Sequence, residues 1–238
     1  MISDCRTYLT SPLLSCIPFV IHGFGTATWK EKDFSSRPET ERFQRVSVRQ
    51  VHSDIVRTVV SMSFKREEGD ALVTGMDGLL LVIRTADCLP VFLVDTRRRV
   101  VAAVHCGWRG TAGRLVQKSI DSMVKAFGTE PGSLLAALGP AIEGKCYEVG
   151  EEVREAFVRN DLSLEGFGSH PEKKNRMTLD LKAANTAQLL EMGLKEDGID
   201  SVMGCTRCDP GMLSYRADGN LAERMFNFIG IQPAQKSF

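Results

Sequence analysis

The sequence predicts an α+β fold in which mixed β-sheet is covered by helices. Three observations lead there. Short apolar or alternating runs bounded by turn residues fill the stretch from Val46 to Val104, as strands do. After Gly110 the apolar residues recur at helical spacing instead. The composition, 43% hydrophobic and 25% charged over 238 residues, suits a chain that buries a core without disulfide or metal staples.

Leu13 to Ile21 is an apolar stretch interrupted by Pro18 and too short for a bilayer, so it reads as a core strand and not as a signal or membrane segment. Lys30 to Arg45 is charged and aperiodic, an irregular connection. Val46, Val48, Gln50 and His52 then alternate with Ser47, Arg49 and Val51, a period of two that projects Gln50 and His52 to one side. Leu79 to Ile83 and Val91 to Val94 are continuous apolar runs, as expected of strands buried on both faces. Pro90 stands just before the second run, where a missing N–H costs little. Val91 to Val94, the polar Asp95-Thr96-Arg97-Arg98 and Arg99 to Val104 read as a hairpin.

Beyond Gly110-Thr111, residues Val116, Ile120, Met123, Val124 and Phe127 share a helical face until Gly128 stops it. Further helices are expected at Glu151 to Val158, Leu181 to Met192 and Gly219 to Ile229, with strands at Leu134 to Leu138 and Ile199 to Gly204. Asn160 to Arg176 is rich in Gly, Ser, Lys and Glu and reads as an exposed loop. No repeat or linker divides the pattern, so residues 1–238 are expected to form a single domain.

Charge and cysteine usage exclude several classes. Lys+Arg and Asp+Glu number 30 each, which gives no global attraction to nucleic acid or to an anionic membrane. The seven cysteines are an odd, scattered set and not a disulfide framework, so a reducing, cytoplasmic setting is expected.

Candidate chemistry gathers at strand ends. His52, Cys88 and His105 are far apart in sequence, yet each ends a strand or sits in a turn beside one. Two imidazoles and a thiolate would suit Zn²⁺ and leave a fourth position open; the same residues also fit two ordinary polar histidines and a small buried cysteine. The segment His105-Cys106-Gly107-Trp108-Arg109-Gly110-Thr111 leads from a strand through glycines toward a helix. Arg109 and the N–H groups of Gly110 and Thr111 would there meet an anion such as phosphate; a tight turn with Arg109 paired to a surface acid is the alternative. Asp70 and Asp87 are candidate acceptors for histidine ring N–H groups. Cys205-Thr206-Arg207-Cys208 is a lone CxxC, read as two reduced structural cysteines. His22 reads as closing a loop, His170 as solvated, and Cys146-Tyr147 as packing or a pocket wall.

Gln50-Val51-His52, Thr85-Ala86-Asp87-Cys88-Leu89-Pro90-Val91, His105-Cys106-Gly107-Trp108-Arg109-Gly110-Thr111 and Gly139-Pro140-Ala141-Ile142 occur in that order. Cys146-Tyr147-Glu148-Val149-Gly150, Asp180-Leu181-Lys182-Ala183-Ala184-Asn185, Cys205-Thr206 and Ser214-Tyr215-Arg216 continue the series. Together they resemble the YfiH-type laccase-domain family, from about Gln50 to Met225. The resemblance implies an α/β/β/α sandwich similar to that of a group of Cys-His hydrolases. It implies a metal, usually zinc with copper as the other candidate, at His52, Cys88 and His105; these, with Arg109 from the anion-site argument above, are the candidate catalytic residues. It further implies phosphorolysis of adenosine, inosine, guanosine and methylthioadenosine, so that purine nucleosides and phosphate are the partners, with adenosine deamination as a second activity.

The chain departs from the family at its pocket edge. Ala27-Thr28-Trp29-Lys30 replaces an arginine and glycine-rich continuation, and Glu143-Gly144-Lys145 replaces Gly-Pro-Cys. Ala217 stands where a second arginine is common, and Leu221-Ala222-Glu223-Arg224 replaces a Thr-Gly-Arg turn. A polyphenol oxidase mechanism meets a simple count: a blue-copper centre with a trinuclear cluster needs about ten histidines, and this chain has four. A metal-independent hydrolase with Cys88 as nucleophile and His105 as base, and a non-catalytic metal-binding protein, are the other readings.

Overall fold

A computed structural model describes residues 7–170, 176–219 and 223–233. In chain order its first elements are β1 (Tyr8–Leu9), α1 (Pro12–Ser15), β2 (Val20–Gly25), α2 (Asp33–Ser36), β3 (Gln44–Ser47), β4 (Val56–Thr58), β5 (Ala71–Thr74), β6 (Leu79–Thr85), β7 (Leu89–Asp95) and β8 (Val100–Cys106). There follow α3 (Trp108–Ala112), α4 (Leu115–Phe127), β9 (Leu134–Leu138), β10 (Glu148–Val149), α5 (Glu151–Arg159), β11 (Phe167–Ser169), β12 (Met177–Leu179), α6 (Leu181–Glu191), β13 (Ile199–Ser201), α7 (Tyr215–Asp218) and β14 (Met225–Ile231). None of the described helices is long and apolar enough to cross a membrane.

Two mixed sheets form the sandwich. One runs β1-β2-β14-β6-β3 and the other β13-β9-β7-β8-β5-β4, with a small sheet β10-β12-β11 at the side. Phe24, Leu81, Ile83 and Ile229 of the first sheet meet Phe92, Val94, Val101 and Ala137 of the second in a buried layer. Phe24 and Phe92 stack there with ring centroids 4.5 Å apart. On its outer face the six-stranded sheet packs against Leu115, Val116, Ile120 and Met123 of α4, together with Leu181 and Leu189 of α6. The outer face of the five-stranded sheet is covered differently. Trp29, Phe34 and Phe43 close over Leu80, Val82 and Phe228, so a loop with one helical turn does the work of a helical layer.

Local sequence explains most elements. Every residue of β7 and β8 is buried, because each strand has a neighbour on both edges and a packed layer on both faces. Their hairpin closes where Asp95 Oδ1 accepts from the N–H groups of Arg97 and Arg98, both at 2.9 Å. Gly128 ends α4 in the left-handed region, at φ 69°, with its N–H returned to Val124 O. The Asp180 side chain caps α6 at the N–H groups of Lys182 and Ala183.

Four expectations fail. Leu13 to Ile21 is not one strand: Ser11 caps the short α1, with Pro12 in its first turn, and extended structure resumes only at Val20. The expected helix at Gly219 to Ile229 is replaced by β14, a central strand between β2 and β6 whose alternate side chains are taken into the layers on either side; residues 220–222 lie outside the description. Pro90 is inside β7, at a non-hydrogen-bonded position opposite His105: the His105 N–H goes to Asp70 O at 2.8 Å and the Pro90 C=O accepts from the Gly139 N–H at 2.9 Å. The strand expected through His52 ends at Ser47; Val46 and Val48 both still face the core, but His52 itself turns at φ 58°.

Candidate functional site

Two of the chain's crossings between the two sheets, near one end of the sandwich, carry most of the candidate residues. The first crossing leaves β3 and carries Gln50 and His52; the second joins β6 to β7 through Asp87 and Cys88. Beyond β3, the Gln50 amide imitates a strand by exchanging hydrogen bonds with the backbone of Arg84, at 2.8 Å in each direction. His105, near the end of β8, pairs with Pro90 and so stands beside Cys88. The ligand atoms of His52, Cys88 and His105 all lie within 4.8 Å of one another, and the two imidazole centroids are 5.0 Å apart. The sequence separates these residues; the two crossings and the β7–β8 pairing bring them together.

Asp70, fully buried, organises the group. Its Oδ1 lies 2.8 Å from His105 Nδ1, and its carboxylate accepts from the N–H groups of Val51, His52 and Ser53 and from the Ser53 hydroxyl at 2.7 Å. An ionised carboxylate can only accept, so Nδ1 carries hydrogen and Nε2 is left for Cys88 or a metal. Burial disfavours the Asp70 charge, but hydrogen bonds from His105 and Ser53 outweigh it and hold the carboxyl at about 2. The same competition operates at Cys88. Burial opposes the thiolate, yet the charge and hydrogen bond of His105, with those of His52, bring the thiol down to about 6. His105 is driven up to about 9: burial opposes its charge, and Cys88 and Asp70 more than compensate. Without a metal, the two shifts favour a thiolate beside an imidazolium. Neighbouring Cys106 points into the core and stays a thiol, raised by burial and then by Cys88.

The donor set fits a soft or borderline cation such as zinc: two imidazoles and a readily ionised thiol, one histidine oriented by a carboxylate. Gly107 leaves the space this requires. A Cβ there would sit 3.0 Å from Cys88 Sγ and 3.4 Å from His52 Cδ2. His52, Cys88, His105 and Asp70 thus stand where the sequence reading expects them to converge. Asp87 has a different task from the one expected. Its carboxylate accepts from Thr206 Oγ1 and from the Arg216 N–H, both at 2.7 Å, and ties a distant loop to the Cys88 turn.

The trio opens into a cavity of about 670 Å³, large enough for a nucleoside-sized ligand. Arg84, Arg109, Arg216 and Arg224 line it. Three of the guanidinium groups stack on aromatic rings that also line it: Arg109 on Trp108 at 4.3 Å, Arg216 on Tyr147 at 4.8 Å and Arg224 on Tyr215 at 5.6 Å. Among the described residues Asp87 is the one carboxylate in the lining, and its oxygens are already engaged. The cavity therefore has a cationic wall suited to an anion, beside a metal-capable trio.

The phosphate contacts expected at Gly110 and Thr111 are not available in this arrangement. The helix begins earlier than the glycine spacing suggests, with Gly107 as its cap, so both residues lie buried inside α3. The Thr111 N–H goes to Gly107 O, and its hydroxyl accepts from Asn185 Nδ2 at 3.0 Å. Arg109 does reach the cavity. Sequence reasoning passes over Arg84 and names Arg224 only within a segment that departs from the family; the available signal for Arg84 is a lone charge directly after the apolar run Leu79 to Ile83, just before the Cys88 turn. His170, expected in solvent, is nearly buried with Nε2 3.4 Å from Glu148. His22 is a core residue of β2 whose Nε2 accepts from the Ser11 N–H at 2.9 Å.

Known proteins resemble this chain in sequence and in fold. The family described as multi-copper polyphenol oxidoreductase laccase matches residues 30–232. A Deinococcus radiodurans protein named purine nucleoside phosphorylase is 41% identical over 165 residues, 69% of this chain and 62% of that protein. Adenosine deaminase RL5, from an unknown prokaryotic organism, is 38% identical over 161 residues, 67% of this chain and 61% of that protein. The match thus spans less than two thirds of the length of either relative. The crystal structure of YlmD from Geobacillus stearothermophilus superposes with a TM-score of 0.85 at 26% identity, covering 97% of this chain and 98% of that one. With the family pattern running through most of its length and the expected fold around the site, the chain belongs to the laccase-like family that the multi-copper polyphenol oxidoreductase description denotes.

Proposed function

We propose that this chain is a purine nucleoside phosphorylase, taking adenosine, inosine, guanosine or methylthioadenosine with phosphate to the free base and ribose 1-phosphate, with adenosine deamination as a second activity. The observation that carries this reading is the set of four arginines around the trio, three of them held by aromatic rings. A dianionic co-substrate needs such a wall, and stacked guanidinium planes present paired N–H groups to phosphate oxygens without further ordering. Two relatives named purine nucleoside phosphorylase and adenosine deaminase support it.

In phosphorolysis a phosphate oxygen bonds to C1′ as the bond from C1′ to the purine nitrogen breaks, and the bonding pair leaves with the base. Charge at the ribose carbon rises toward the transition state, so a phosphate dianion held close both attacks and stabilises. Arg109, with Arg216 and Arg84, would hold that dianion, while Tyr147 and Tyr215 give the cavity flat walls suited to a purine. His52, Cys88 and His105 would hold the metal, zinc in our reading, which when bound supplies Lewis acidity to the cavity. Incubating the protein anaerobically with inosine and phosphate, then separating the products, tests the reading: hypoxanthine and ribose 1-phosphate are expected, and absence of both refutes it.

The Cys88–His105 pair favours a second reading. A thiolate beside an imidazolium is the resting state of a cysteine nucleophile with its acid-base partner, as in a metal-independent hydrolase. Chelation separates the two: activity lost with the metal supports zinc, and activity that survives chelation but not alkylation supports the thiolate. A copper relay finds no support in the ligand supply, since of the four histidines His22 and His170 lie outside the cavity lining.

A further inference from the structure

Three thiols outside the trio lie together. Cys146 Sγ and Cys208 Sγ are 3.3 Å apart, and the three sulfurs of Cys146, Cys205 and Cys208 all fall within 4.8 Å of one another. All three are free; Cys205 is buried, Cys146 half-buried and Cys208 exposed, so the cluster opens to solvent on one side. The lone CxxC of the sequence therefore has a third member, supplied from the turn before Tyr147.

Backbone contacts hold the three cysteines together. Cys205 C=O accepts from the N–H groups of Cys208 at 3.1 Å and Asp209 at 3.0 Å, which curls the CxxC segment so that both sulfurs face one point. The turn that carries Cys146 is docked to the same loop by Arg207, whose Nη1 donates to Cys146 O at 3.2 Å, and by the bridge between Ala141 and Cys205. Tetrahedral zinc, with its bonds of about 2.3 Å to sulfur, spaces thiolates about 3.8 Å apart, within reach of the distances seen here.

We propose that Cys146, Cys205 and Cys208 form a second metal site, a three-thiolate zinc site with its fourth position toward solvent. On binding, the thiol protons pass to solvent and three sulfur–zinc bonds form; no oxidant or reductant takes part. The site would clip two loops that wall the cavity. One carries Tyr147; the other continues through Thr206, bonded to Asp87, to Arg216, which stacks on Tyr147. The inference does not depend on the phosphorylase reading.

The test uses the full chain carrying Cys88→Ser, which removes the sulfur from the first site. After metal removal and thiol reduction, cobalt(II) is titrated without oxygen. The expected result is one equivalent of cobalt with sulfur-to-metal charge-transfer absorption, displaced by zinc. Adding Cys208→Ser should weaken binding about tenfold or more, adding Cys146→Ser with Cys208→Ser should abolish the band, and adding Cys16→Ser should leave it unchanged. Circular dichroism checks that each variant is folded, and exposed Cys208 provides the variant least able to disturb the core. No charge-transfer band in the Cys88→Ser chain, or one that survives loss of both Cys146 and Cys208, overturns the proposal.

Discussion

Asp70 Oδ1 lies 2.8 Å from His105 Nδ1 while the same carboxylate gathers the N–H groups of Val51, His52 and Ser53. One buried side chain thus orients one member of the trio and holds the backbone of another. Asp70→Asn keeps the size but loses the charge and two-sided acceptance. Zinc affinity should fall about 10–100-fold, and stability by about 2–3 kcal/mol from lost charge-assisted hydrogen bonds. Isothermal titration and urea unfolding measure the two; an unchanged zinc affinity contradicts the orienting role.

Gly107 has an ordinary φ of −75°, so the backbone there tolerates alanine. The added methyl would press on Cys88 Sγ and His52 Cδ2. Gly107→Ala should therefore separate two effects, with unfolding free energy changed by no more than about 1 kcal/mol and zinc affinity reduced about tenfold or more. Equal loss of both would show that the glycine serves the fold and not the trio.

Arg109 is the cavity arginine on α3 and stacks on Trp108. Arg109→Ala should cut phosphorolysis by about 10²-fold or more, as removal of a single preorganised charge contact does, and raise the KM for phosphate more than that for inosine. Arg109→Lys should recover only part, because an ammonium cannot reproduce the bidentate fork. Near-normal turnover in Arg109→Ala would remove phosphate from this position.

Cys88 should react as a thiolate in the metal-free chain. With its thiol at about 6, the iodoacetamide rate climbs through pH 6 and levels by pH 7.5, a range in which an ordinary thiol is still gaining reactivity. Zinc should protect it. Mass spectrometry of the labelled peptide gives the profile, and one centred near pH 8.5 would show that the histidines do not lower this thiol.

His22 supplies an acid-labile increment of stability away from the cavity. Burial holds its imidazole down at about 4, opposed by the bond from Ser11 and the charge of Asp200. Between pH 6.5 and 4 the unfolded chain takes up a proton that the folded one refuses. The contribution is thus fully present above pH 6.5 and is lost as pH falls toward 4, an effect on the order of 3 kcal/mol. Urea midpoints for the native chain and His22→Gln should converge as pH drops from 7 to 4; parallel profiles would assign the acid sensitivity elsewhere.

Local pattern alone carried much of this protein. The continuous apolar runs of β7 and β8, the Asp95 hairpin, the α4 face ending at Gly128 and the capped α6 are legible because periodicity and turn chemistry act within a few residues. His52, Cys88 and His105 were also legible, as chemically capable residues at strand ends. Tertiary structure decided the rest. β14 is a strand because β2 and β6 flank it and layers bury both its faces, which outweighs the helical spacing of its apolar residues. Arg84, Arg216 and Arg224 meet Arg109, and Cys146 meets Cys205 and Cys208, only because crossings between the sheets and long-range loop contacts bring them together. The energy of such meetings comes from partners far along the chain, and spacing along the chain does not record it.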